Sequence, residues 1–369
     1  MTNRAEVVVN LSAIKSNVAT LKTKAGVDLM AVVKADGYGH GLVPVAKAAL
    51  DGGATWLGVA LLEEAIALRA AGITAPILAW LVPSGSDFQS AVDKDIDLAV
   101  SSIKALDEIR ALKGAKRPRI HLEVDTGMTR GGFLSEWSEI DINHLQGVEI
   151  VGIFSHFARA DEPGQAQNLE QLNRFKKMVA NLDSLGFTNL IRHLSNSAAT
   201  LVDHTSAFDM VRTGIAMYGL TPDLNHLGTS QSLGLKPAMT LRAKLHLVKA
   251  VPAGSPVGYG ATEKTKSETK LGIVAMGYAD GIPRIAKGAG IFFNGKRAPI
   301  IGRVSMDQFV VDLGAQSSAQ TGDWVTIFGP GDAGEYTADD WGGASGSINY
   351  EIVTRIGARV PRVFADGSA

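Results

Sequence analysis

A lysine comes directly after a short apolar run near the start of the chain. The run Leu29–Val33 (LMAVV) precedes Lys34, and a glycine-rich segment, residues 35–41 (ADGYGHG), follows it. A short apolar run bounded by glycines is typical of a strand buried on both faces. An amine in such surroundings can have a lowered pKa and form a Schiff base. A lysine at a strand end can also point its charge into solvent, and this stretch alone leaves both interpretations open.

Other polar residues lie near the ends of apolar runs later in the chain. Arg130, Asn196 and Ser197 follow such runs, His156 ends one, and Arg212 lies on the last of them. Each has a plain explanation when taken singly. His156, for example, could be a core histidine with satisfied hydrogen bonds, and Arg130 could be a loop charge. All of them together at the ends of strands are harder to explain in that way.

An anion could bind near Arg212, Gly214 and Ser197. Arg212 supplies charge, and Gly214 lets backbone N–H groups approach a ligand closely. Ser197 adds a hydroxyl just before residues 198–201 (AATL), which are typical of a helix start. We therefore predict a phosphate site here, although the P-loop pattern is absent and residues 37–41 do not match the dinucleotide fingerprint.

The elements that would position these residues form an alternating pattern. Eight strand-like runs alternate with helical stretches; the runs are 30–34, 56–60, 76–82, 97–101, 119–125, 149–156, 189–195 and 209–218, and the helices are 42–50, 63–71, 102–112 and 167–185. Before them, Asn10 can cap a first helix. The alternation predicts a parallel sheet, and eight repeats fit a (β/α)8 barrel, with a doubly wound sheet as the competing fold. In such a barrel, strand ends gather the active site at one mouth.

One strand carries a possible metal trio. His121, Glu123 and Asp125 alternate and so share a face of the strand. Such residues can ligate a metal, but the nearby Arg130 would repel a cation. We therefore favour a carboxylate that neutralises and orients an arginine inside the barrel, and we predict no metal site.

Beyond Leu220 the pattern changes to strands without long helices between them. The runs 239–248, 271–276, 291–293, 302–313 and 324–328 are separated by turns rich in Gly, Pro and Ser. We expect a barrel domain over residues 1–235 and a β-rich domain over 236–369, ending in a short helix and an unfolded polar tail. Tyr278 lies at the glycine-flanked end of a strand. It is either a packing residue or a proton-transfer group, and the second role needs a nearby cation because its unperturbed pKa is about 10.

Composition excludes several classes of protein. The 369 residues are 46% hydrophobic and 20% charged, with a net charge of −1 and no cysteine. This net charge does not indicate binding to nucleic acid or to an anionic membrane. No apolar run approaches the ~20 residues that span a bilayer, and the first residues lack the apolar stretch of a signal peptide. We expect a soluble cytoplasmic protein.

Seven segments, in order, resemble motifs of the alanine racemases, which are pyridoxal-phosphate enzymes of fold type III. They are 31–41 (AVVKADGYGHG), 124–128 (VDTGM), 196–199 (NSAA), 211–219 (VRTGIAMYG), 277–281 (GYADG), 303–308 (RVSMDQ) and 348–351 (INYE). The resemblance extends over nearly the whole chain. It implies a (β/α)8 barrel followed by a C-terminal β-rich domain.

The resemblance also implies roles at the matched positions. Lys34 would hold pyridoxal 5'-phosphate and act as one base, and the partner subunit's Tyr278 would be the other in a head-to-tail homodimer with shared active sites. Arg212 would face the pyridine nitrogen, supported by His156. Arg130 would contact the cofactor and the substrate carboxylate, helped by the backbone of Met306, with Glu123 and Asp307 in support. The remaining cofactor contacts would come from Tyr38, Asn196, Ser197, Gly214, Ile215 and Tyr350.

The implied activity is two-base interconversion of L-alanine and D-alanine, which supplies D-alanine for peptidoglycan. A racemase of broader specificity, acting for example on serine, is the alternative, and a related decarboxylase or a non-catalytic carrier of the cofactor is disfavoured by the second-domain motifs. The sequence departs from the family at Glu123, where many relatives have a carbamylated lysine. We predict that Glu123 orients Arg130 without modification. Thr129 and Ser305 also differ from the residues that are common in the family.

Overall fold

The computed structural model describes residues 3–366. These residues form two compact units, each built from separate segments of the chain. The barrel unit comprises residues 14–37 and 42–235, and the C-terminal unit comprises residues 3–13, 38–41 and 236–366. The two contiguous domains, 1–235 and 236–369, stay a prediction. Not one helix among the described residues has the length and hydropathy needed to cross a membrane.

The first strand, β1 (Ala5–Asn10), belongs to the C-terminal unit, and the next eight form the barrel unit's sheet. They are β2 (Asp28–Val32), β3 (Trp56–Val59), β4 (Ile77–Ala79), β5 (Asp97–Val100), β6 (Arg119–Glu123), β7 (Glu149–Phe154), β8 (Ile191–His193) and β9 (Met210–Thr213). From β2 to β8 each strand pairs in parallel with the next, and β9 pairs in parallel with β2. Two backbone hydrogen bonds, Asp209 N to Arg192 O and Arg212 N to Ser195 O, bring the ends of the sheet together. The predicted (β/α)8 barrel is therefore confirmed.

Amphipathic helices follow most barrel strands at close to the predicted positions. The helices of the chain as far as the end of the barrel are Leu11–Ala25, Leu42–Asp51, Leu62–Ala70, Phe88–Asp93, Ile103–Arg110, Ala166–Ser184, Ser197–Val202 and Leu224–Leu227. Asn10 caps the first of them, since its side-chain oxygen accepts from the Ala13 N–H at 2.9 Å. Inside the barrel, buried side chains from several strands form an apolar cluster of Met30, Trp56, Leu78, Ala99, Phe154 and Met210.

The C-terminal unit is built mainly from strands, as predicted. Its strands after β1 are β10 (Met239–Val251), β11 (Pro256–Val257), β12 (Glu263–Lys264), β13 (Thr269–Val274), β14 (Gly290–Phe293), β15 (Lys296–Pro299), β16 (Phe309–Asp312), β17 (Trp324–Phe328) and β18 (Arg362–Ala365). The long β10 pairs with β1, β13 and β17. Two helices, Ala338–Ser345 and Asn349–Thr354, precede β18.

The polar tail contains a strand that the sequence did not predict. β18 pairs in parallel with β1, with Val7 opposite Arg362 and Asn10 opposite Ala365. Arg362 also donates to the Gly39, Ile356, Gly357 and Val360 carbonyl oxygens. The expectation of an unfolded tail is wrong here, because backbone pairing with β1 and the hydrogen bonds of Arg362 hold this four-residue segment in place.

Gly39 should tolerate no side chain, because it has a φ of +78° and an added Cβ would collide with the Val353 carbonyl oxygen. Gly72 has a similar φ of +82° but open space around it. We expect Gly39→Ala to lower the free energy of unfolding by about 3 kcal/mol and the control Gly72→Ala by about 1 kcal/mol. Urea unfolding of the two variants measures the difference. Equal losses would show that the close backbone approach is not tight.

Candidate active site

Lys34 lies just beyond β2 at the C-terminal mouth of the barrel. The preceding residue, Val33, still donates its N–H to the Gly58 carbonyl oxygen at 2.9 Å, which fixes the exit from the strand. The Lys34 Nζ lies 5.8 Å from the centroid of the Trp80 ring. Burial lowers the pKa of the amine, the charge of Arg130 lowers it further, and Glu64 opposes both. These surroundings favour the reactive amine over a solvent-directed charge.

The backbone turns left-handed directly after Lys34. Residues 35–38 all have φ between 51° and 60°. For a residue other than glycine this conformation costs roughly 1 kcal/mol or more. Side-chain acceptors hold it in place: Glu64 Oε1 accepts from Ala35 N at 2.6 Å, and Asp36 Oδ1 accepts from Leu42 N at 2.8 Å. The strain therefore belongs to the segment that sets the direction of the chain after Lys34.

Arg212 is a buried cation in the barrel, on β9. Its Nη1 donates to the His193 carbonyl oxygen and its Nη2 to that of Ser155, each at 2.7 Å, and Nη2 also contacts His156 Nδ1 at 3.2 Å. Burial lowers its pKa to about 10, while Glu123 raises it and Arg130 lowers it. The guanidinium remains charged near neutral pH. Its Nε has no hydrogen-bond partner within residues 3–366, so this donor is available to a ligand.

His156 follows β7 and accepts a hydrogen bond from Arg212. Because arginine can only donate, His156 Nδ1 carries no proton, and the neutral ring is protonated at Nε2. Burial first, and then the charges of Arg212, Arg130 and Lys34, lower its pKa to about 3. His156 is therefore a neutral partner of the buried arginine.

Glu123 lies at the end of β6 near two arginines. Burial raises its pKa, although the charges of Arg212 and Arg130 oppose that shift, and Asp125 adds to it. In the described part of the chain, Glu123 forms no ion pair within 4.0 Å. Its carboxylate therefore acts on the arginines through the electric field, and its predicted orienting contact with Arg130 stays a prediction.

The proposed metal trio is used in other ways. Asp125 Oδ1 accepts from the N–H groups of Gly127, Met128 and Thr129 at 2.8, 3.1 and 3.1 Å. It therefore shapes the loop that leads to Arg130. His121 contacts another histidine, and no group of three metal-ligating side chains occurs among the residues that the structure describes.

The predicted phosphate site brings a hydroxyl and backbone N–H groups together. Ser197 Oγ accepts from Gly214 N at 2.9 Å and from Ala216 N at 3.4 Å. Asn196 Oδ1 accepts from Ala199 N at 3.1 Å and so caps the helix that begins at Ser197. Ile215, next to Gly214, begins a short 3₁₀ turn. This donor set suits an anion.

Tyr38 and Tyr350 lie together within the C-terminal unit, and their ring centroids are 6.4 Å apart. Burial raises the pKa of Tyr38 above its ordinary value, so its hydroxyl keeps its proton and can donate a hydrogen bond. Tyr350 lies on the helix Asn349–Thr354.

Tyr278 belongs to a turn that is fastened to the Met306 loop. The N–H of Tyr278 donates to Ser305 O at 3.0 Å, and that of Ala279 donates to Met306 O at 2.9 Å. Tyr278 and Met306 are 40% and 54% exposed, so both side chains are accessible on this unit. The turn thus presents a tyrosine from a fixed backbone.

Asp280 secures this turn, and sequence reasoning assigned it no role. It is fully buried, caps Gly277 N at 3.0 Å, and pairs with Arg4 at 2.5 Å and Arg359 at 3.2 Å. Arg359 in turn pairs with Asp307 at 2.7 Å. A charged residue between apolar neighbours in the GYADG segment was the available signal, because a buried aspartate needs partners.

The fold and these groups define an enzyme of the (β/α)8-barrel class with a C-terminal β-rich domain. Residues 9–222 match the family described as alanine racemase, N-terminal domain, and residues 238–364 match alanine racemase, C-terminal domain. The chain therefore belongs to the alanine racemase family.

Individual relatives agree with this assignment. An alanine racemase from Salinispora tropica is 49% identical over 371 residues, which cover 98% of this chain and 98% of the relative. The crystal structure of alanine racemase from Streptomyces lavendulae has a TM-score of 0.96 and 47% identity, covering 100% of this chain and 98% of that one. Alanine racemase from Bartonella henselae with covalently bound pyridoxal phosphate has a TM-score of 0.89 and 28% identity, covering 99% and 100%.

Acid should destabilise the barrel through its buried histidines. His121, His156 and His193 all have lowered pKa values, chiefly from burial, so they stay neutral when folded. Below about pH 6.5 the unfolded chain binds protons that the folded chain does not. The free energy of unfolding therefore decreases as the pH is lowered. Two to three such protons correspond to roughly 3 kcal/mol per pH unit near pH 5.

Urea unfolding at several pH values between 7.5 and 4.5 measures this dependence. His156→Gln should reduce the slope, whereas the control His246→Gln, at an exposed position, should leave it unchanged. A flat profile for the unsubstituted protein would contradict the neutral histidines.

Proposed function

We propose that the protein interconverts L-alanine and D-alanine with pyridoxal 5'-phosphate as its cofactor and with Lys34 and Tyr278 as its two bases. Family membership over both domains carries the reaction, and the enzyme is an isomerase. The observation that best supports the cofactor is the half-buried Lys34 amine with its lowered pKa. The relative from Bartonella henselae, which has covalently bound pyridoxal phosphate, supports the same proposal.

The residues present fit this cofactor. The Lys34 amine would bind it covalently, and the available Arg212 Nε would donate to its pyridine nitrogen. Its phosphate would bind at the Ser197 hydroxyl and the N–H groups of Gly214 and Ile215. Asn196, Tyr38 and Tyr350 would complete the contacts. When bound, the cofactor acidifies the Cα–H bond of the amino acid.

Racemisation requires proton removal from one face of Cα and delivery on the other. Lys34 is suited to one face because its lowered pKa favours the neutral amine, the form that can accept a proton. We propose that the partner subunit's Tyr278 serves the other face in a head-to-tail homodimer. The exposed Tyr278 on its fastened turn supports this arrangement.

Arg212 and Arg130 would control charge around the reacting carbon. Arginine donates a hydrogen bond without releasing its proton, so Arg212 would leave the pyridine nitrogen neutral and discourage transamination. His156 would hold Arg212 in place. Arg130 would bind the substrate carboxylate with help from the Met306 backbone, while Asp307, paired with Arg359, would support that loop. We further propose a cytoplasmic enzyme that supplies D-alanine for peptidoglycan.

A purified sample tests the proposed function. We expect an absorption band of lysine-bound cofactor that borohydride abolishes, and formation of D-alanine from L-alanine, measured by chiral chromatography. Tyr278→Phe should lower kcat by about 10²-fold or more while the band is retained. Absence of both band and D-alanine would refute the proposal, and activity on serine without alanine would select the racemase of different specificity.

Glu123→Gln should weaken the enzyme by removing a negative charge near two arginines. We expect kcat/KM for alanine to fall by about tenfold and the cofactor band to shift. Steady-state kinetics and absorption spectra measure both effects. Glu139→Gln, at an exposed position, is the matched control. Unchanged kinetics and spectrum in Glu123→Gln would show that its charge is not needed.

A further inference from the structure

A chain of buried polar side chains crosses the interior of the barrel and ends at Arg212. Arg212 Nη1 contacts His193 Nδ1 at 3.2 Å, and His193 Nε2 contacts His121 Nδ1 at 2.9 Å. His121 Nε2 lies 3.4 Å from Asp97 Oδ2, which is a close electrostatic contact and not a hydrogen bond, and this nitrogen has no hydrogen-bond partner among residues 3–366. Asp97 pairs with Arg119, whose Nε and Nη2 donate to it at 2.9 and 3.2 Å. The two histidines are 0% exposed, and Asp97 is 2% exposed.

The protons along this chain all point in one direction. Arginine only donates, so His193 Nδ1 accepts and the proton of His193 lies on Nε2. That proton can be shared only with His121 Nδ1, which places the proton of His121 on its own Nε2, toward Asp97. Burial lowers the pKa of both rings, so both are neutral. Burial alone would raise the pKa of Asp97, but the hydrogen bonds from Arg119 and the close contact with His121 lower it.

The surrounding residues leave room for both imidazoles. A Cβ at Gly152 on β7 would come 2.6 Å from His121 Nδ1. Trp56 packs edge-on against His121 with ring centroids 5.3 Å apart. Phe154 stacks on His193 with centroids 4.9 Å apart and an angle of 13° between the planes. The contact between the two rings is therefore part of the packing of the barrel core.

We propose that His193, His121 and Asp97 are positioning residues that hold Arg212 in the orientation and charge state the reaction needs. Aligned N–H dipoles that end on a carboxylate favour the positive charge of the guanidinium, and the contact to Nη1 restricts its rotation. The Nε donor is thereby directed to one place. This inference rests on the proposed function, in which Arg212 meets the cofactor.

A purely structural role explains these residues less well. Apolar side chains of similar size would fill the same space without buried polar atoms that must find partners. The chain is also anchored at the opposite end of the strands, since Asp97 and Arg119 are the first residues of β5 and β6. It thus connects a rigid ion pair there with the arginine at the candidate site.

Three variants test the proposal in the cofactor-loaded enzyme. Asp97→Asn keeps an acceptor but removes the charge, and His121→Phe breaks the chain with a ring of similar shape. Glu149→Gln is the control, because Glu149 pairs with Arg119 at 2.7 Å and is half exposed. We expect the first two to lower kcat by about tenfold, leave KM within about twofold, and shift the cofactor band, while the control changes none of these.

Nitrogen-15 NMR of labelled histidines shows which imidazole nitrogens carry protons, and this measurement does not depend on activity. We expect His121 and His193 to be neutral and protonated at Nε2 in the unsubstituted enzyme. A proton on Nδ1 of His193 would overturn the proposal. If the enzyme bound no cofactor and made no D-alanine, the proposed function would fail. The NMR signals would still show whether His121 and His193 have the expected protonation states.

Lowered thermal stability with unchanged kcat and spectrum in Asp97→Asn and His121→Phe would also overturn the proposal, because the residues would then serve only the fold. If His121→Phe does not fold, His121→Gln replaces it. Glutamine can both accept and donate, so His121→Gln should retain more of kcat than His121→Leu, which removes the contact with His193. Equal kcat values for these two variants would contradict a role for the hydrogen bond between His121 and His193.

Discussion

The guanidinium of Arg212 carries a full charge into the interior of the barrel, and much of the local structure depends on its being satisfied there. Transfer of an ion from water to such a site costs several kcal/mol unless acceptors replace the lost hydration. Three backbone carbonyl oxygens, from Ser155, His193 and Leu194, and two imidazole nitrogens provide those acceptors. The Glu123 carboxylate favours the charge from a greater distance.

This cation determines the protonation of its neighbours. The pKa values of His156 and His193 are lowered by burial and then by Arg212, so both histidines are neutral acceptors instead of competing cations. Lys34 is subject to the same effect through Arg130. Nearby arginine charge thus favours the neutral form of this amine, although Glu64 opposes the effect.

Periodicity and residue type were sufficient to predict the barrel, because parallel strands and amphipathic helices have regular patterns. They also predicted that Lys34 lies at the end of a strand and that Arg212 lies on the last strand of the barrel. The pattern could not show that His121 and His193, separated by 72 positions, share a hydrogen bond. The left-handed turn at residues 35–38 was equally hidden, since three of its four residues are not glycine and its cost is met by contacts with Glu64 and Leu42. The strand β18 was missed because it is only four residues long, and so short a run carries no clear periodicity.

The two proposed bases differ in how the fold prepares them. The pKa of Lys34 is lowered by burial and by the charge of Arg130. Tyr278 is 40% exposed, and its backbone is held rigidly by the buried Asp280 between Arg4 and Arg359. A fixed backbone reduces the number of orientations that a tyrosine must lose before it can act on a substrate. In the proposed homodimer, a base from the partner subunit would gain most from such rigidity, because no covalent connection to the rest of the site could correct its position.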